Sequence, residues 1–138
     1  NKCGVPLSLF NLKQNDEFGI LEVGMDKKGE IDYLSKIIEP DVGVITNINY
    51  AHAKNFKNIK QIAFAKSEII NNIKPNGYVV LNADDSFFQL HKKIAKEKKI
   101  KVVSFGMKSQ KADIKLISIK TFGKKFKINV ELNNKYSL

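Results

Sequence analysis

The chain has no arginine and no tryptophan, a single cysteine and only three prolines. The lone Cys3 excludes an internal disulfide framework and fits a reducing compartment. Long apolar runs are missing as well. Stretches such as residues 42–48 and 77–81 fall far short of the roughly 20 residues a membrane span needs. No basic-then-apolar targeting pattern opens the chain, and its first residue is Asn1 rather than Met. The chain is therefore expected to be a piece of a longer polypeptide that works in the cytoplasm, with no membrane span.

The absence of arginine bears on the charge. A net charge of +10 invites a nucleic-acid reading. Yet all 24 basic residues are lysine, whereas specific nucleic-acid readers rely on arginine for bidentate base and phosphate contacts. Lys, Asn and Ile enrichment is what an AT-rich coding sequence produces. The densest run, residues 92–99, reads as the solvated face of a helix. No nucleic-acid partner is expected. What is present is enough for a core: 138 residues with 43% hydrophobic and 28% charged side chains describe one folded domain, not a disordered chain.

Residues 18–23 form a short apolar run broken by Gly19 and Glu22, and predict a buried strand. Residues 29–39 carry Ile31, Leu34, Ile37 and Ile38 at helical spacing before Pro40. Residues 42–48 predict a second strand, 58–74 a second helix broken by Pro75-Asn76-Gly77, and 78–81 a third strand. A third helix over 86–99 puts Phe87, Leu90, Ile94 and Ala95 inward and leaves His91 on the surface; a fourth strand covers 101–105. Alternating strands and helices predict an α/β fold, a mainly parallel sheet flanked by helices on both faces. Residues 112–132 differ. Two strands linked at Gly123-Lys124 predict a C-terminal antiparallel hairpin. Gly4-Val5-Pro6 predicts a turn.

Ligands of open α/β sheets bind beyond the carboxyl ends of the strands. Three expected strand ends deliver polar groups there: Glu22, the run from Thr46 and Asn47 to His52, and Asn82 with Asp84 and Asp85. Glu22 interrupts an apolar strand end, where a carboxylate is either turned to water or bound to a cation. Lys66 lies among Ile62, Ala63, Phe64, Ile69 and Ile70, which leaves open a snorkelling lysine or a functional amine. Asn82 and Asp84 are either ligand contacts or an Asx turn closing the strand.

These residues, in order, resemble the central domain of the Mur ligases. The segment from Leu21-Glu22-Val23-Gly24 to Gly29-Glu30-Ile31, then Thr46-Asn47-Ile48, Ala51-His52 and Phe56, then Ala65-Lys66-Ser67-Glu68-Ile69, and Asn82-Ala83-Asp84-Asp85 follow the family's pattern. Upstream, Asn1 with Gly4-Val5-Pro6 is similar to its Gly-x-Pro segment that touches the muramoyl substrate. The phosphate-binding Gly-x-x-Gly-Lys-Thr loop is not in the sequence. Residues 1–138 are thus expected to be a partial central, P-loop NTPase-like, ATP-binding domain, with that loop upstream and a C-terminal domain downstream.

The resemblance implies an ATP-dependent amide ligase of bacterial peptidoglycan precursor synthesis. It is greatest to the branch that joins D-alanyl-D-alanine to UDP-N-acetylmuramoyl-tripeptide through an acyl phosphate. It implies magnesium, held by Glu22, His52 and a carbamylated Lys66, with Lys66 and His52 catalytic. It also implies substrate contacts from Asn1 and Asn47 and nucleotide contacts from Asn82 and Asp84. A monomer is expected, and the piece alone is expected to be inactive. The alternatives are another Mur-type or folylpolyglutamate-type ligase, or a non-catalytic nucleotide- or nucleic-acid-binding domain.

Overall fold

The structure, a computed structural model, describes residues 4–50 and 55–133. The expected Gly-Val-Pro turn is instead the first turn of a helix, α1 (Gly4–Phe10). Proline is tolerated there because first-turn N–H groups have no intrahelical partner. The expected strand over 18–23 does not form: the segment pairs with none of the five strands of the sheet. Phe18 and Ile20 are 84% and 97% exposed. Apolar periodicity registers what could be buried; a strand also needs a free edge placed beside it.

The remaining alternation is as expected. It runs α2 (Glu30–Ile38), β1 (Val42–Ile45), α3 (Ile59–Ser67), a 3-10 helix (Glu68–Asn72), β2 (Tyr78–Asn82), α4 (Phe88–Glu97), β3 (Lys101–Gly106), β4 (Ile114–Phe122) and β5 (Lys125–Leu132). The sheet order is β1-β2-β3-β4-β5. β1, β2, β3 and β4 pair in parallel and β4 with β5 antiparallel. Gly123 opens the hairpin turn at φ 60, the first central position at which glycine relieves the strain of a positive φ. Gly77 enters β2 beneath the backbone of Asp41: a Cβ there would lie 2.5 Å from the Asp41 carbonyl oxygen.

The main core lies on one face of the sheet. Ile45, Val79 and Leu81 meet Ile70 and Ile73 near the 3-10 helix and Ala95 of α4. The expectation of full cover on both faces fails at β1, where Val42 and Val44 are about half exposed (50% and 52%) while Gly43 and Ile45 are buried. A second cluster joins Met25 and Ile31 to Ile62 and Ala65 of α3. It fixes the segment after Glu22 against the helix that carries Lys66.

Helix 58–74 divides at Ser67. Asn58 caps α3, its side chain accepting from the Gln61 N–H. The chain then tightens into the 3-10 helix, where Glu68 reaches α2. Its carboxylate accepts from Gly29 N–H at 2.9 and 3.0 Å and from Asp32 N–H at 3.2 Å. Gly29 at the N-cap has no side chain to do this. Asn72 continues the seam, donating to Asp32 and to Ser35 Oγ.

Candidate functional site

Because β1 and β2 are parallel neighbours, the loop after one and the turn after the other leave the same rim. They interlock there. Asn82 Nδ2 donates to the Thr46 carbonyl at 3.0 Å, and Asp85 Oδ2 accepts from Ile48 N–H at 2.8 Å. Between these two anchors the Asn47 carbonyl accepts from Lys66 Nζ at 2.9 Å. Lys66 is half-buried in the last turn of α3, with Ala65 and Ser67 buried on either side. Burial pushes the pKa of its amine down, and the nearby Asp85 carboxylate acts in the opposite direction.

Asn82 and Asp84 make the Asx turn. Asn82 Oδ1 accepts from Asp84 N–H at 2.9 Å. Asp84 then spans to the loop after β3, its carboxylate accepting from Met107 at 2.6 Å, Lys108 at 3.0 Å and Ser109 at 2.7 Å. These backbone N–H groups, Lys108 and Met107 foremost, hold the carboxyl below its usual range. Gly106 leaves room for it, since a Cβ would sit 3.0 Å from Asp84 Oδ1. Both side chains are thus engaged within the protein.

His91, expected on the surface, is 2% exposed, and its Nε2 lies 3.0 Å from the Ala63 carbonyl. Burial lowers its pKa; the Ala63 hydrogen bond and Asp85 oppose that, and Lys66 adds to it. The signal was available: His91 stands four residues before Ala95, and the two are the buried residues of α4. The lysines around it masked the stripe. Asp85 is at the rim where the sequence places it; the reach of Glu68 to α2 has no signal in the sequence, although Glu68 sits in the Ala65-Lys66-Ser67-Glu68-Ile69 motif.

Glu22 is exposed and outside any strand. With Ile20 and Leu21 it lines an open cleft of about 260 Å³ against Gly4, Val5 and Ser8 of α1. Asn47 is exposed, and Asn1 and His52 lie outside the described residues. Among the described residues no three His, Cys, Asp or Glu side chains gather as a metal site. Glu22 offers the oxygen chemistry magnesium prefers; Lys66 as an amine does not. No helix among the described residues is long and apolar enough to cross a membrane.

Known proteins share the sequence and the fold. The chain is 41% identical over 111 residues to UDP-N-acetylmuramoyl-tripeptide–D-alanyl-D-alanine ligase of Buchnera aphidicola, covering 80% of this chain and 24% of that relative. MurF from Acinetobacter baumannii superposes with a TM-score of 0.81 at 31% identity, covering 94% of this chain and 27% of that one. MurF from Thermotoga maritima in complex with ADP gives 0.76 at 29% identity, covering 94% and 29%. The chain therefore spans about a quarter of the length of these proteins. Residues 1–137 match the Mur ligase middle domain, and with the parallel sheet and its interlocked rim in place, the chain belongs to that family.

Proposed function

We propose that this chain is the middle-domain part of an ATP-dependent ligase that joins D-alanyl-D-alanine to UDP-N-acetylmuramoyl-tripeptide in the bacterial cytoplasm. The observation that carries this reading is the 41% identity to the relative of that name. The ADP complex of the Thermotoga MurF supports the nucleotide. In the proposed reaction the tripeptide carboxylate attacks the γ-phosphate of ATP, giving an acyl phosphate and ADP. The dipeptide amine then attacks the acyl carbon, and phosphate leaves. Transfer of this kind is mostly positioning and charge neutralisation.

Magnesium, when bound, would neutralise charge on the transferring phosphate. Glu22 is the described residue that fits it, and His52 is its proposed companion. Lys66 joins the set only as a carbamate. Its neutral amine attacks CO₂, an N–C bond forms and a proton leaves, turning a cation into a carboxylate-like anion. The half-buried amine with its lowered pKa supports this step, because burial raises the neutral fraction. Asn1 and Asn47 are proposed to face the muramoyl substrate, and the cleft between Glu22 and α1 supports that side. Asn82 and Asp84 are proposed to bound the nucleotide side through the loops they hold.

The test uses the full-length polypeptide with ATP, UDP-N-acetylmuramoyl-tripeptide and D-alanyl-D-alanine. Phosphate release that needs all three, with the pentapeptide product seen by mass spectrometry, is expected. Turnover with a single amino acid in place of the dipeptide would overturn the assignment in favour of another Mur-type ligase. Carbon-13 bicarbonate should give a carbamate resonance that disappears in Lys66→Ala.

A further inference from the structure

We propose that the turn between β2 and α4 is a clamp on the Lys66 amine, with Asp85 as its positioning residue. The Asn47 carbonyl that receives Lys66 Nζ lies in a loop outside any helix or strand. Left alone, such a carbonyl would move with its loop. Here the residues on both sides of it are held from one turn, Thr46 by Asn82 and Ile48 by Asp85.

Asp85 is itself fixed. Its Oδ1 accepts from Phe87 N–H at 2.8 Å, and its own N–H donates to the Asn82 carbonyl at 3.2 Å. With both carboxylate oxygens engaged, rotation of the side chain breaks a hydrogen bond. From the other side, His91 of α4 meets the Ala63 carbonyl, three residues before Lys66 on α3. The turn and the helix that follows it therefore hold both the loop that receives the amine and the helix that presents it.

The inference deepens the reading of Lys66 as a functional amine and rests on it. In the full-length enzyme, Asp85→Ala should lower kcat on the order of a hundredfold, the loss expected when a reacting group is misplaced by about 1 Å. KM for the dipeptide should stay within about twofold, because positioning is lost rather than ground-state binding. Acylation of Lys66 by an N-hydroxysuccinimide ester, followed site by site by mass spectrometry, should accelerate relative to exposed Lys98. Asp85→Asn keeps one of the two acceptor oxygens, so it should fall between wild type and alanine; it is the variant to read if alanine does not fold. A merely structural role would lower the folded fraction but leave the ratio of Lys66 to Lys98 acylation unchanged within the folded population. Wild-type kcat and a wild-type acylation ratio in folded Asp85→Asn would overturn the clamp. Full activity of Lys66→Ala would instead overturn the reading of Lys66, and a raised acylation ratio in Asp85→Asn would then still support the clamp.

Discussion

At Lys66 the amine gives up part of its hydration and receives one carbonyl and one nearby carboxylate in return. Lys98 on α4's far end is exposed. Lys66→Ala in the full-length enzyme should therefore remove most turnover, while Lys98→Ala should stay within about twofold, as surface substitutions usually do; steady-state phosphate release checks both. His91 makes a separate prediction. Its folded pKa is lowered from the ordinary 6.5, so the unfolded chain binds the proton more readily. The contribution is fully present above the unfolded pKa and is lost as pH falls through the lowered folded value. Denaturation midpoints should drop on acidification from about pH 7 to about pH 5, and His91→Leu should flatten that slope. The sequence shows Lys66 among apolar neighbours and leaves its role open. For His91 the four-residue spacing to Ala95 is in the sequence as well, but a lysine-rich helix masks so narrow a buried stripe.

Among the elements, α2 is capped from a distance. Glu68 on the 3-10 helix supplies the acceptor that the Gly29 N-cap lacks. Glu68→Ala should cost about 1 kcal/mol, a usual figure for a lost N-cap, read as a shift in the urea midpoint. Ile62→Ala should cost more, about 3 kcal/mol, because Ile62 is fully buried where α3 meets Met25 and Ile31. Helices over 29–39 and 58–74 were visible from 3.6-residue periodicity. The tightening after Ser67 was not, since an apolar stripe does not distinguish α from 3-10 turns, and the Glu68 contact that accompanies it crosses 39 residues.

For the molecule as a whole, residues 1–138 contain no Gly-x-x-Gly-Lys-Thr loop and span about a quarter of relatives that carry out the ligation. The isolated 138-residue chain should not join D-alanyl-D-alanine to the tripeptide, and no dipeptide-dependent phosphate release should appear. Turnover by that chain would place the chemistry within these residues alone.

The strand–helix alternation, the parallel sheet and the terminal hairpin were set by local pattern: apolar runs of strand length, stripes of helical spacing, and Pro or Gly at the breaks. So were the residues that resemble the Mur ligases, because motif order is a property of the chain. Tertiary structure decided the rest. Residues 18–23 have strand composition but no strand partner among the described residues, so Glu22 stands on an exposed segment beside α1 instead of a strand end. Asn82, Asp84 and Asp85 share one short motif yet hold different loops, one after β1 and one after β3. Which loop a carboxylate reaches depends on which strands become neighbours, and that is fixed only when the sheet assembles.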